Sequence, residues 1–381
     1  MQTPYYQYDI ALLRQTLSIA RQESQLHGYY IHYALKANSN PTILRIIAEY
    51  GFGADCVSGN EVKTALENGF APNKIVFAGV GKCDEEIELA IDSEIFCLHC
   101  ESLQELEVIN RIAAEKNRKI AVALRINPNV DALTHKHITT GTSSNKFGLT
   151  LNEAKRAIQI IPSLQNIKLI GLHFHIGSQI TQMSVFNNLA LRAKEIEQEL
   201  CPNGEFIYLN LGGGLGIDYE NPTDNSIPNF KEYFSAIDSS LERSAFQKVH
   251  FELGRSLVGQ CGKLITKVLF TKQTGEKNFA IVDAGMNTLI RPALYGAHHR
   301  IENATSKEIL YETYSIVGPI CETTDCFDEN VYLPVTKRGD IIEILSCGAY
   351  GEAMSSRYNL RDLPGTSFTN SDVYCEQTVT V

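Results

Sequence analysis

The sequence predicts an α/β protein, a (β/α)8 barrel of the TIM type with a second, β-rich C-terminal domain. Three observations carry this. Eight short apolar runs recur over about 225 residues, separated by amphipathic stretches. Capping signals open several of those stretches. Past Gly262 the rhythm changes to strands joined by loops, with little helix. A doubly wound open sheet is the structural alternative for the first part.

The elements follow in order. A helix-like piece, Ile10 to Gln25, lies in the first 28 residues. The eight strand runs are Tyr29–Leu35, Gly53–Val57, Ile75–Ala78, Ile95–Leu98, Ile120–Ile126, Leu169–His175, Tyr208–Leu211 and Lys248–Glu252. Ser58 with Glu61, Ser102 with Glu105 and Thr150 with Glu153 have capping-box spacing, so helices are expected to begin there. Lys263–Lys272, Asn278–Val282, Tyr314–Val317 and Asp340–Leu345 read as the later strands. The expected division is an N-terminal segment at 1–28 packing with the β-rich domain, a barrel at 29–258 and the β-rich domain at 259–381.

Composition narrows the class. The 381 residues are 44% hydrophobic, enough for a sizeable core, yet no apolar run approaches the roughly 20 residues needed to span a membrane. A net charge of −10 argues against nucleic acid, whose phosphates call for clustered Lys and Arg. The start of the chain, from Met1 to Tyr6, lacks the basic and apolar stretches of a signal peptide, so a cytoplasmic enzyme is expected. Ten cysteines are scattered without a framework. Cys97 and Cys100 form a C-x-x-C on a strand, where residues three apart face opposite ways; reduced thiols and no metal are expected.

Reactive groups in a barrel sit at the C-terminal ends of strands. Lys36 follows the first run; it either snorkels to water or serves as a desolvated amine ready to form an imine. His173 and His175 end the sixth, as a ring-stacking group, core histidines or a metal pair without an apparent third ligand. Ser178 follows in a Gly-Ser loop that can donate to an anion. Gly212-Gly213-Gly214-Leu215-Gly216 follows the seventh run; it is either a phosphate cradle or a flexible turn, and Ile217 stands where a dinucleotide fingerprint needs glycine. Glu252, Gly254 and Arg255 close the eighth. A lysine, a stacking ring, a phosphate cradle and an acid together describe a pyridoxal 5'-phosphate site, with Glu252 as partner of the pyridinium nitrogen. Asp55 and Arg125 also end strands and are expected to form a supporting ion pair. Lys146 is read as a loop residue.

The chain resembles the fold-type III pyridoxal-phosphate decarboxylases. The motifs are Tyr-Ala-Leu-Lys-Ala-Asn (33–38), His-Phe-His-Ile-Gly-Ser-Gln (173–179), Gly-Gly-Gly-Leu-Gly (212–216), Asp-Ala-Gly-Met-Asn (283–287), Arg-Pro-Ala-Leu-Tyr (291–295), Gly-Pro-Ile-Cys-Glu (318–322) and Cys-Gly-Ala-Tyr-Gly (347–351). They run in the family's order over nearly the whole chain, and the 291–295 segment is typical of the diaminopimelate branch. The resemblance implies that Lys36 is the Schiff-base lysine and that His175 stacks on the cofactor ring. It implies that Ser178, Gly213, Gly214, Gly254 and Arg255 hold the phosphate. Arg255, Arg291 and Tyr295 would meet a substrate carboxylate, Glu322 the far end of the substrate, and Tyr350 both cofactor and substrate. Cys321 would be the proton donor. It also implies a homodimer in which Cys321 and Glu322 reach the partner's barrel. The implied reaction is decarboxylation of meso-2,6-diaminopimelate to L-lysine and carbon dioxide. The rivals are an ornithine or arginine decarboxylase, a racemase of the same fold, or a non-catalytic regulatory homologue. One departure is Leu253, where the family has proline; it bears on the stiffness of that loop. Structural readings stand beside the functional ones: Arg291 as a surface residue, Cys321 as a small buried hydrophobe, Tyr350 as packing.

Overall fold

A computed structural model describes residues 1–130, 146–202, 204 and 206–369. Residues 370–381 of the expected β-rich segment lie outside the described residues. The chain forms two compact units, Leu17–Ile217 with Pro228–Leu257, and Met1–Thr16 with Asp218–Ile227 and the chain from Val258 onward. Strand β1 (Tyr5–Asp9) and helix α1 (Ile10–Leu26) open the chain.

The first unit is a closed barrel of eight parallel strands. These are β2 (Tyr30–Ala34), β3 (Gly53–Cys56), β4 (Ile75–Phe77), β5 (Cys97–Cys100), β6 (Ile120–Arg125), β7 (Ile167–His173), β8 (Tyr208–Asn210) and β9 (Lys248–Leu253). The eight expected runs all become strands, and β9 closes back on β2 through Tyr30↔His250 and Tyr33↔Leu253. Parallel strands are covered on both faces, so nearly every residue in them is buried and their sequences read as continuous apolar runs. Inside, Val76, Cys97, Ala123, Ile170 and Tyr208 form one cluster, with Phe96 and Ala121 packed on it. The fifth strand of the chain, β5, starts two residues later than expected. Ile95 lies just past the C-cap of helix α4 (Asp84–Asp92), and its N–H is used to cap that helix on Ala90 O.

The covering helices are α2 (Pro41–Glu49), α3 (Gly59–Glu67), α4 (Asp84–Asp92), α5 (Leu103–Glu115), α6 (Leu151–Ile160), α7 (Met183–Leu200) and α8 (Phe230–Asp238). Helix α2 shows the logic: Asn40 caps it by accepting from Thr42 N, Pro41 pre-sets the first turn, and Ile43, Leu44, Ile46 and Ile47 bury one face. Of the three expected capping boxes, only Thr150–Glu153 is reciprocal. Glu61 and Glu105 reach one residue further back, to Val57 N at 2.7 Å and Glu101 N at 2.6 Å.

The second unit is a mixed sheet in the order β12-β15-β10-β11-β13-β14, with β1 paired to β10 and β16. Its strands are β10 (Gly262–Thr274), β11 (Lys277–Val282), β12 (Ile301–Asn303), β13 (Tyr311–Val317), β14 (Cys326–Pro334), β15 (Ile341–Ile344) and β16 (Gly365–Thr369). Strand β10 serves two neighbourhoods. Its first half pairs with β1 and β15, its second with β11, and an irregularity at Val268/Phe270 divides them. Little helix is found past Gly262 among the described residues, where the α-helix is the short α10 (Arg291–Tyr295); another short helix, α9 (Arg255–Val258), stands at the end of the barrel chain. Among the described residues no helix is long and apolar enough to cross a membrane, and the described cysteines are all free thiols.

Candidate active site

Most of the predicted cofactor residues sit at the C-terminal ends of barrel strands. Lys36 does not end β2 but stands in the single 3-10 turn that follows, Leu35–Ala37. Its Nζ lies 3.6 Å from Asp55 Oδ2 at the end of β3. The expected ion pair between Asp55 and Arg125 is therefore corrected. Arg125 Nη1 instead donates to Glu101 Oε1 at 2.7 Å, because β5 and β6 are neighbours and bring those ends together. Burial, and then the charge of Glu252, push the Asp55 carboxyl up to about 7, against the pull of Lys36 and Arg125. Burial does the same for Glu252, also to about 7.

The loops after β7 and β8 are laced together. Ile180 N donates to Gly214 O and Gly216 N to Ile180 O, both at 2.9 Å. Gln179 fastens the same pair through Ile217, donating to its carbonyl at 2.7 Å and accepting from its N–H at 3.2 Å. Gly213 packs so closely that a Cβ would meet Glu252 O at 2.0 Å, and Gly214 has φ +106°. Gly213 N donates weakly to His175 Nδ1 at 3.4 Å, while burial and the charges of Lys36 and Arg125 keep that ring neutral. Arg255 Nη2 donates to Ser178 Oγ at 3.0 Å, and Gly254 rests against Ala34 and Ala37. One barrel mouth thus brings Lys36, His175, Ser178, Gly213, Gly214, Glu252, Gly254 and Arg255 together.

His173 and His175 do not act as a pair. His173 points into the barrel, where its Nε2 lies 3.1 Å from Glu252 Oε2 and its ring stacks on His99 at 4.1 Å. His99, His173 and Glu252 hold their ligand atoms within 4.8 Å of one another, a third partner invisible in the sequence. Stacked rings direct their nitrogen lone pairs side by side rather than to one point, so the trio reads as hydrogen bonding to a carboxylate.

The other predicted residues belong to the second unit. Arg291 begins α10 and is buried; its Nη1 donates to His299 Nε2 at 2.7 Å, and its guanidinium lies 4.9 Å from the Tyr219 ring centre. His299 Nδ1 donates to Leu345 O at 2.9 Å, which leaves Nε2 as the acceptor Arg291 needs. Tyr295 ends the same helix, half-buried. Cys321 and Glu322 are exposed on a tight loop, so the reading of Cys321 as a buried hydrophobe is overturned, as is that of Arg291 as a surface residue. Asp325, which the sequence reading missed, holds that loop by accepting from Ile320 N and Met286 N, each at 2.6 Å. Tyr358 Oη donates to Glu322 Oε1, and Cys321 N donates to Asn359 Oδ1 at 3.2 Å. Tyr350 has φ +57°, a strained setting for a side chain of that size. Lys146 is a loop residue over the Phe147 ring.

An amine beside buried carboxylates, a glycine cradle that a Cβ would fill and an arginine–serine pair fit an aldehyde-bearing phosphate cofactor. The family model of the pyridoxal-dependent decarboxylase pyridoxal-binding domain matches residues 14–259. A Bacteroides thetaiotaomicron protein described as diaminopimelate decarboxylase is 52% identical over 96% of this chain and 95% of its own. The chain belongs to the diaminopimelate decarboxylase family. A relative of the same description from Aquifex aeolicus is 41% identical, over 94% of this chain and 84% of its own. The crystal structure of the Helicobacter pylori family member, complexed with L-lysine, superposes with a TM-score of 0.91 at 38% identity, covering 97% of this chain and 92% of that one.

Proposed function

We propose that the protein decarboxylates meso-2,6-diaminopimelate to L-lysine and carbon dioxide with pyridoxal 5'-phosphate, in the cytoplasm and as a homodimer. The observation that carries this is the constellation at the barrel mouth, Lys36 against Asp55 with Glu252 within reach of its charge and the Gly212–Gly216 cradle beside them, in a chain that matches a named relative over 96% of its length. When bound, the cofactor supplies an electron sink for the carbon that loses its carboxylate.

The chain's own residues do the rest. Lys36 would hold the cofactor through its amine. Glu252 holds a proton at the ring nitrogen. His175 covers the ring. Ser178, Gly213, Gly214, Gly254 and Arg255 hold the phosphate. Cys321 returns a proton to the carbon that lost carbon dioxide. The end of the substrate that does not react keeps a carboxylate and an ammonium. Arg255, Arg291 and Tyr295 take the carboxylate, because a guanidinium fork suits it, and Glu322 takes the ammonium. Tyr350 contacts both cofactor and substrate. In the dimer, Cys321 and Glu322 of one chain serve the barrel of the other, so residues 29–258 bind the cofactor and residues 259–381 complete the partner's site.

Borohydride treatment tests the cofactor assignment. The protein loaded with pyridoxal phosphate is expected to absorb in the visible and, once reduced, to carry the label on the peptide with Lys36. Label on Lys146 or another lysine defeats the assignment.

A further inference from the structure

The interior layer beneath the barrel mouth holds His99 of β5, His173 of β7, Tyr208 and Asn210 of β8, and Glu252 of β9, all buried. Their proton positions follow from one fixed donor. The Gly212 N–H can only donate, and it donates to Asn210 Oδ1 at 2.8 Å. This sets the amide's orientation, so its NH2 faces the other way. The two amide protons go to Tyr208 Oη and to Glu252 Oε1, each at 2.8 Å. With Tyr208 Oη accepting from Asn210, its own proton is directed to His99 Nε2 at 2.9 Å. His99 then carries its proton on Nδ1, which faces Glu252 Oε1 at 3.5 Å. His173 Nε2 donates to the other oxygen, Oε2, at 3.1 Å.

We infer that Asn210, Tyr208 and His99 form a one-directional chain of hydrogen bonds, a relay that ends on His99, whose Nδ1–H then faces Glu252 at ion-pair distance. It starts from the backbone of the glycine cradle and keeps the Glu252 carboxylate ionised and oriented. The consequence for the cofactor rests on the proposed function. Asn210 and His173 donate to Glu252 directly and His99 turns its Nδ1–H toward it, so the carboxylate gathers donors rather than competing for them. This opposes the desolvation that pushes Glu252 up to about 7; the Asn210 hydrogen bond is among the influences that lower it. A protonated Glu252 could not hold a proton on a pyridine nitrogen. The relay also ties the two ends of the cofactor site together, since the same Asn210 amide grips Gly212 of the cradle and Glu252. Asn210, Tyr208 and His99 are positioning residues.

Two near-isosteric variants break the relay. Asn210→Asp keeps the acceptor for Gly212 N–H but turns the donor facing Glu252 into a like charge. Tyr208→Phe removes only the hydroxyl, and carries the same test should Asn210→Asp fail to fold. The first measurement is nitrogen NMR of histidine-labelled, cofactor-free wild-type protein. His99 is expected as the Nδ1–H tautomer, with no titration from pH 5.5 to 8, in line with a ring held well below its usual pKa by burial. An Nε2–H tautomer overturns the relay and leaves the functional reading standing. The second measurement is the nitrogen shift of ring-labelled pyridoxal phosphate on the loaded protein. Wild type is expected to show pyridinium at pH 7.5, Asn210→Asp free pyridine, and Tyr208→Phe a midpoint lower by about one pH unit. Identical pyridinium signals in all three overturn the relay. Failure of wild type to take up the cofactor overturns the functional reading instead, and the tautomer then decides the relay.

Discussion

Asp55 Oδ2 stands 3.6 Å from Lys36 Nζ, and no other cation forms an ion pair with that buried carboxylate among the described residues. The pair favours the ammonium form of Lys36, which is the form that cannot attack an aldehyde. Asp55→Asn is expected to lower the pH midpoint at which Lys36 reacts with pyridoxal phosphate by about one unit. Visible absorption during loading of the cofactor-free protein measures it. An unchanged midpoint would show that Asp55 does not govern the amine.

Arg291→Ala is expected to lower kcat/KM on diaminopimelate by about 100-fold or more, the effect of stranding a desolvated carboxylate. The cofactor's absorption should stay as in wild type, because Arg291 belongs to the substrate end. His299→Leu should give a smaller loss of the same kind, since His299 Nε2 accepts from Arg291. Loss of the absorption band in Arg291→Ala would place that arginine in cofactor binding.

The barrel was legible in the sequence and much of the second sheet was not. Strands β2 to β9 are buried on both faces and announce themselves as apolar runs. Strand β1, Tyr5–Asp9, alternates half-buried and buried residues and ends in Asp9, so nothing marks it apart from a helix start. Strand β14 carries Asp328, Glu329 and Asn330, which read as a turn, yet it pairs antiparallel with β13. The site divides in the same way. Lys36 and the glycine run follow strand ends, Glu252 lies at the end of one, and all three could be placed by counting. His99, Asn210 and Asp325 gain their importance only from closure of the barrel or folding of a loop, which juxtaposes residues far apart in the chain. Asp55 and Arg125 were singled out with the wrong partners, because strand order alone does not say which neighbour's acid comes within reach.

Acid should destabilise the cofactor-free protein through its buried imidazoles. His32 is pushed from 6.5 down to about 4 by burial, and its Nε2 bonds His250 Nδ1 at 2.8 Å. Above pH 6.5 the ring is neutral in both folded and unfolded chains. Between 6.5 and 4 only the unfolded chain takes the proton, so stability falls as pH falls. Asp55 and Glu252, raised to about 7, act in the opposite sense, losing stability as pH rises toward 7. A variant therefore isolates the imidazole: His32→Leu should reduce the acid slope by about 1.4 kcal/mol per pH unit in that window. Urea titrations at pH 7.5, 6 and 5 read it, and an unaltered slope would mean His32 is protonated in the fold.

Sharing of sites across a dimer is checked by mixing Lys36→Ala with Cys321→Ala under conditions that exchange subunits. Each variant alone is expected to be inactive. Random pairing makes about half the dimers mixed, each with one intact site, so about a quarter of the sites should recover. No recovery despite demonstrated exchange would mean that each chain builds its own site.

The most direct measurement is kcat/KM, with product identification, for meso-2,6-diaminopimelate, ornithine and arginine on one preparation of the loaded protein. Diaminopimelate is expected to be turned over to L-lysine and carbon dioxide at least about 100-fold more efficiently than the others. Neither of those offers a distal carboxylate to the arginines, and an unpaired buried charge costs several kcal/mol. Faster turnover of ornithine or arginine would contradict the substrate assignment even with the cofactor on Lys36.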